Sequence, residues 1–149
     1  MMRKVIMTLL FSASMWGETL DTKAPAPFWT EDSVHKVLGI ATVGSAALTA
    51  ILRPQYEGET VEGFALHRNL AYVTAGLAGA TILTGVWLHW DDVGLEYSAT
   101  DYDNLHAILA TVGGGMMIAA AVIGNNSMAH STLGIGGAAL MGSAIVLEW

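Results

Sequence analysis

Three long stretches without a charged residue constrain the fold of this 149-residue chain more than any other feature. Crossing the hydrocarbon core of a bilayer takes about 20 consecutive, mainly apolar residues in a helix. The first two stretches fit one span each, and the third is long enough for two. The stretches lie between Lys36 and Arg53, between Arg68 and Asp91, and between Asp103 and Glu148.

The third stretch is divided near its middle by Gly124, Asn125, Asn126 and Ser127, a run typical of a tight turn. The sequence therefore predicts an all-α membrane protein, an up-down bundle of four transmembrane helices. We expect the helices at about Glu31 to Leu52, Val61 to Trp90, Asp101 to Gly124 and Ser127 to Leu147. The second is longer than one span requires and is expected to protrude.

Composition narrows the partners and the chemistry. Hydrophobic residues make up 53% of the chain and charged residues 13%, about half the charged share of a soluble domain, so we expect a bilayer around it. A formal net charge of -7 excludes nucleic acid as a partner. Without cysteine there is no disulfide, no thiolate-held iron–sulfur cluster and no covalent attachment of a c-type haem. Any redox cofactor must be bound non-covalently.

The N-terminal region resembles a targeting segment. Arg3 and Lys4 precede a short apolar stretch, so we interpret residues 1–17 as a secretory signal peptide, with an uncleaved signal anchor as the alternative. Residues 18–30 are then an external segment ending at Thr30, the expected N-cap of the first helix. Residues 31–149 form the predicted four-helix domain.

The charges of the connecting loops predict the orientation in the membrane. Arg53 and Arg68 flank the first loop, whereas the loop between Asp91 and Asp103 carries carboxylates and no Lys or Arg. Since basic loops stay on the cytoplasmic side, the first loop is expected inside and the N-terminus outside. We predict a multi-pass protein of the bacterial inner membrane.

Ionisable side chains at membrane depth are candidates for function, and this chain has five histidines. Four of them, His35, His67, His106 and His130, each lie near the start of a different predicted helix. Because the helices alternate in direction, His35 and His106 are expected near the outer face, and His67 and His130 near the inner face. Parallel helices are diagonal in an up-down bundle, so the histidines form two facing pairs.

Facing imidazoles on diagonal helices provide the two axial nitrogens that a b-type haem requires. Small residues also follow each histidine at the helical spacings that share its face, which would leave room for a porphyrin. The alternative is that these residues only let membrane helices approach closely. The positions are Gly39, Thr42 and Ala46; Ala71, Thr74 and Ala78; Ala110, Gly113 and Met117; Gly134, Gly137 and Met141, so that a bulky residue returns only at the last position of the third and fourth helices.

The predicted turn also gives the spacing of the two histidine pairs. If the chain turns tightly at Gly124, His130 lies about 15 residues along the third helix from His106, or roughly 22 Å. The fifth histidine, His89, is expected about two turns above the outer pair. We interpret it as an interfacial residue beside Trp90, with proton relay or contact with an electron donor as the alternative.

These histidines and their neighbours resemble the cytochrome b561 and ferric-reductase-like transmembrane core over about residues 34–147. The resemblance implies two non-covalent b-type haems, one bound by His35 and His106 and the other by His67 and His130, that transfer electrons across the membrane. It also implies that Arg53 and Arg68 meet a haem propionate or an anionic reductant, whereas positive-inside anchoring is their alternative role. The similar strings are His35-Lys36-Val37-Leu38-Gly39, Leu66-His67-Arg68, Leu105-His106-Ala107-Ile108 and His130-Ser131-Thr132-Leu133-Gly134.

Three other functions remain open from the sequence. They are a haem-bearing, quinone-reactive anchor subunit of a larger respiratory complex, a histidine-based metal carrier or sensor, and a purely structural membrane protein. An electron-transfer component needs an electron donor and acceptor, either proteins or quinone and quinol, and a larger membrane complex or a homo-oligomer is a candidate assembly.

Overall fold

The structure is a computed structural model that describes residues 30–53, 61–89, 102–124 and 128–148. The predicted signal peptide, almost all of the predicted external segment and most of the three connecting loops lie outside the described residues.

The described chain forms four long helices and confirms the predicted all-α bundle. Each helix is long and apolar enough to cross a membrane. The observed ends differ from the predicted ends by two residues or fewer. The helices are α1 (Glu31–Ile51), α2 (Val61–Leu88), α3 (Tyr102–Ile123) and α4 (Met128–Glu148).

Local hydrogen bonds explain where α1 begins and where α3 ends. The Thr30 hydroxyl accepts from the Ser33 backbone N–H, and the Ser33 hydroxyl accepts from the Thr30 N–H, which confirms Thr30 as a capping residue. Gly124 has a left-handed φ of 57°, and its N–H donates to the Ala120 carbonyl at 3.1 Å. This glycine terminates α3 at the predicted turn.

Each helix packs against two neighbours. The two hairpins, α1 with α2 and α3 with α4, have the most extensive contacts, and α2–α3 and α1–α4 contacts join them. Among the described residues the backbones of α1 and α3 do not approach each other, and neither do those of α2 and α4. These two pairs are therefore the diagonals of the bundle, as predicted.

The faces that follow the four histidines point into the bundle. Of the twelve positions predicted to share a face with a histidine, nine are buried and three are half-buried. At the centre of the bundle, Met117 and Met141 pack with Ala46 and Ala78. Each of these four residues lies 11 positions beyond the histidine of its own helix. The inward side of the bundle is thus lined by histidines and small residues, with two methionines filling the middle.

Hydroxyl groups join α1 to α2. Thr42 bonds to Thr81 at 3.0 Å, and Thr74 bonds to Ser45 at 2.8 Å and to Thr49 at 3.2 Å. Such hydrogen bonds hold membrane helices together where water does not compete.

Glycines join α3 to α4 instead. A Cβ added at Gly113 would lie 2.6 Å from the Gly137 carbonyl oxygen, and one added at Gly137 would lie 2.6 Å from the Gly113 oxygen. The two backbones are therefore in direct contact. At these two positions the close-packing interpretation is correct, because the contact leaves no gap for a cofactor between them.

This contact predicts a sharp difference between two glycines of α3. Gly113→Ala forces the α3 and α4 backbones apart and should cost about 1–3 kcal/mol, as overpacking of a tight interior does. Gly115→Ala is the matched control, because its Cβ meets nothing within 4 Å. Reversible unfolding in detergent micelles measures both. Equal stability of the two variants would contradict the direct contact.

Candidate functional site

The structure brings four of the five histidines together in the predicted pairs. The ring centroids of His35 and His106 lie 6.2 Å apart with their planes at 67°. Those of His67 and His130 lie 6.0 Å apart with their planes at 65°. We call His35 and His106 the outer pair, and His67 and His130 the inner pair, following the predicted orientation. In each pair the rings come from diagonal helices and meet inside the bundle.

In all four rings the Nδ1 atom has a hydrogen-bond partner on the other helix of the same hairpin. The Nδ1 atoms of His67, His106 and His130 lie 3.1, 2.9 and 2.9 Å from the carbonyl oxygens of Thr49, Ala144 and Ala120, respectively. A carbonyl only accepts, so each of these Nδ1 atoms carries the proton. The lone pair of each neutral ring is then on Nε2.

His35 reaches the same tautomer through a hydroxyl group. Its Nδ1 lies 3.0 Å from the Thr84 hydroxyl oxygen. That hydroxyl has a single proton, and the backbone carbonyls of Ala80 at 2.9 Å and Thr81 at 3.0 Å both lie within its reach. With the proton on either carbonyl, Thr84 accepts from His35, and the Nδ1 of His35 is the donor.

Two of the accepting carbonyls lie at helix ends. The last four carbonyls of a helix have no partner within it. Thr49 is in the last turn of α1 and Ala120 is in the last turn of α3, where its oxygen also accepts from Gly124. His67 and His130 thus each bind the end of the neighbouring helix, which fixes the depth of their rings.

The hydrogen bonds place the two pairs at separate depths. His35 is level with Thr84, and His106 with Ala144. Fourteen residues separate His106 from Ala120, the level of the inner pair, which is about 21 Å along the helix. This agrees with the spacing expected from the sequence.

The donor atoms fit a metal centre with two axial imidazoles. Two imidazoles bound to opposite sides of one metal ion through bonds of about 2 Å have ring centroids about 6 Å apart. Both pairs have this separation. Metal-bound histidines also direct their other ring N–H to a carbonyl or a similar acceptor, as all four do here. The ring separation and the tautomers of each pair are therefore compatible with two imidazole ligands of one haem iron.

An open cleft lies at the outer pair. Its walls include both rings, small residues of the inward faces and the polar side chains Asp32, Lys36 and His89. Lys36 forms an ion pair with Asp32 at 3.1 Å. The outer pair thus opens toward charged groups at the end of the bundle.

His89 lies nearer to the outer pair than the sequence led us to expect. Its ring centroid is 6.4 Å from that of His35, with the planes at 70°. The prediction of two turns of separation is wrong, because His35 is level with Thr84, only five residues before His89. Side chains on a helix also lean toward its N-terminus, which brings this ring back toward His35. Trp90, its predicted neighbour, is outside the described residues.

The two predicted arginines lie near the inner pair in sequence but not inside the bundle. Arg53 follows the end of α1, and Arg68 follows His67 on α2; both are exposed. Their placement is compatible with either predicted role, contact with an anionic group or anchoring at the membrane surface.

Sequence reasoning missed the groups that hold the rings. Thr84 and the carbonyls of Thr49, Ala120 and Ala144 were not identified, and neither was Gly85, whose missing side chain leaves room for His35. Backbone carbonyls carry no sequence signal. Thr84 and Gly85 did carry a sequence signal, since they lie at the level of His35 on the neighbouring helix. That level depends on how far α2 is shifted along α1, which the sequence does not determine.

Comparison of the chain with protein-family models, with curated proteins and with solved structures gives no match.

The ring tautomers provide a test that needs no cofactor. We expect ¹⁵N NMR of the cofactor-free protein in nanodiscs at neutral pH to show Nδ1–H and unprotonated Nε2 in His35, His67, His106 and His130. Histidine in water favours the opposite tautomer, so Nε2–H signals from these four rings would contradict the hydrogen bonds described above. Single His→Gln variants assign the resonances.

Proposed function

We propose that the chain is a b-type dihaem membrane cytochrome of the cytochrome b561-like kind, which transfers electrons between the two faces of a membrane. The observation that carries this proposal is the repeated geometry of the two pairs. Each has rings about 6 Å apart on diagonal helices, with the Nδ1 protons of both rings directed away to oxygen acceptors.

A simple aromatic contact explains the geometry less well. Edge-to-face rings also have centroids 4.5–7 Å apart. Such a contact does not require the same tautomer in four rings, nor one histidine from every helix. Placing four imidazoles within a bilayer costs free energy, and ionisable side chains retained at that depth are therefore candidates for function.

Each group of residues would have a defined role in binding the haems. His35 with His106 and His67 with His130 would hold one haem each, and the Nδ1 hydrogen bonds keep Nε2 available to iron and increase its basicity. When bound, each haem would supply one-electron chemistry between ferric and ferrous iron. The apolar cluster that contains Met117 and Met141 fills the space between the two depths and separates the two sites.

Charged groups at the two ends would meet the electron donor and acceptor. Exposed Arg53 and Arg68 favour an anionic group at the inner end, a haem propionate or a reductant. The cleft with Lys36 and His89 opens at the outer end. The proposal includes the bacterial inner membrane, a targeting segment at residues 1–17, and a quinol, a small reductant or another subunit as partner.

A metal carrier has no comparable support. Among the described residues, no three His, Asp or Glu side chains come together as a metal site. A quinone-reactive anchor subunit has the same haem chemistry and differs only in its partners.

Single histidine variants test the pairing. We expect His67→Ala or His130→Ala to lower the haem content from about two to about one per chain and to leave the outer site intact, since each haem needs both axial ligands. His35→Ala or His106→Ala should remove only the outer haem. Tyr72→Ala, which removes an exposed aromatic ring from α2, is the control and should retain both. The pyridine haemochrome assay gives the ratio, and a full haem complement in all four ligand variants would contradict the pairing.

Transfer across a membrane is tested in liposomes that contain the protein, with ferricyanide trapped inside and dithionite added outside. We expect the wild-type chain to reduce the trapped ferricyanide, because two haems at different depths are required to span the bilayer. Liposomes with His130→Ala should react only as fast as protein-free liposomes. Equal rates for the wild type and this variant would contradict transmembrane transfer through both pairs.

A further inference from the structure

The last two turns of α2 and the residue that follows them contact the His35 ring. Three residues make these contacts. Thr84 accepts from Nδ1 at 3.0 Å, and the ring of His89 lies edge-on at 6.4 Å. Between them, Gly85 faces the Cε1 edge of the imidazole, between the two ring nitrogens.

Gly85 provides the closest of these contacts. A Cβ built on this residue would lie 3.0 Å from Cε1 of His35 and 3.7 Å from both ring nitrogens. That first distance is shorter than ordinary van der Waals contact, so any side chain at position 85 must push the ring away or turn it. The ring cannot turn freely, because Thr84 holds its Nδ1.

We propose that Thr84, Gly85 and His89 form a cradle on α2 that sets the position and plane of the His35 ring, and that Gly85 is its critical positioning residue. The cradle belongs to α2, whereas His35 belongs to α1 and its ring partner His106 to α3. Three helices therefore meet at the His35 ring. This inference rests on the proposed function, since the plane of His35 matters most when the ring is an axial ligand.

The plane of an axial imidazole has a direct spectroscopic signature. In a low-spin ferric haem with two imidazoles, the anisotropy of the electron paramagnetic resonance (EPR) signal depends on the angle between the two ring planes. The outer pair has planes at 67°, near the perpendicular end of the range. A rotated His35 ring therefore changes the EPR signal of the outer site and leaves that of the inner site unchanged.

Thr84 acts on the electronic properties of the same ring. An acceptor for Nδ1–H makes the imidazole a stronger electron donor to iron, which stabilises the ferric state. Removing the acceptor should therefore raise the reduction potential of the outer site. The three carbonyl-bonded histidines do not depend on a side chain for this effect.

The test compares two glycines of α2 in the full-length protein. Gly85→Ala places a methyl group against His35, whereas Gly79→Ala adds the same group where nothing lies within 4 Å. Both substitutions raise helix propensity equally. The signals that remain in His130→Ala identify the outer site beforehand. We expect Gly85→Ala to keep both haems but change the outer EPR signal and shift the outer potential, and Gly79→Ala to match the wild type.

A larger side chain and the threonine provide independent tests. Gly85→Leu should lose the outer haem and keep the inner one, whereas Gly76→Leu, at an exposed position with nothing within 4 Å, should keep both. Thr84→Val should raise the outer potential, and Thr84→Ser, which retains the hydroxyl, should restore it. These measurements decide the proposal even if Gly85→Leu does not fold.

The possible results separate the two proposals. If Gly85→Ala and Thr84→Val both match the wild type in EPR signal and potential, the cradle is overturned while the dihaem function stands. If the wild-type chain binds no haem at all, the proposed function fails and the cradle loses its role with it.

Discussion

Four hydrogen bonds organise this bundle, each from an imidazole Nδ1–H on one helix to an oxygen on the other helix of the same hairpin. A polar hydrogen left without an acceptor in a bilayer costs several kcal/mol, so these bonds fix both the tautomer and the depth of each ring. Each bond lies within a hairpin, whereas each ring pair joins the two hairpins. Each histidine thus links its own helix to two others, the second helix of its hairpin and the diagonal helix.

The two hairpins are held together by different chemistry. Hydroxyl bonds link α1 to α2 through Thr42, Thr81 and Thr74. Between α3 and α4 the backbones touch at Gly113 and Gly137. The closely packed hairpin of α3 and α4 therefore faces the hairpin of α1 and α2, whose helices are joined by side chains. The histidine rings meet between these two hairpins. This arrangement keeps the diagonal distance at the histidines near 6 Å while the remaining inward positions carry small residues.

Much of this architecture follows from the sequence because it depends on local rules. Charge-free stretches determine the spans, Thr30 and Gly124 determine two helix ends, and alternation of helix direction pairs the histidines by depth. The position of His89 does not follow from these rules, because it depends on how far α2 is shifted along α1. The role of Gly85 depends on an interhelical distance of a few ångströms, which the sequence does not give. Gly113 packs directly against the neighbouring helix, but in the sequence it cannot be told from a small residue that leaves space for a cofactor.

If each pair binds a haem as proposed, one iron atom lies between its two rings. An anomalous-difference map from crystals of the purified protein, recorded at the iron absorption edge, locates these atoms. We expect two peaks, one between His35 and His106 and the other between His67 and His130, separated by about 21 Å along the bundle. Haem-replete protein whose peaks lie away from these ring pairs, or that shows a single peak, would contradict the proposal.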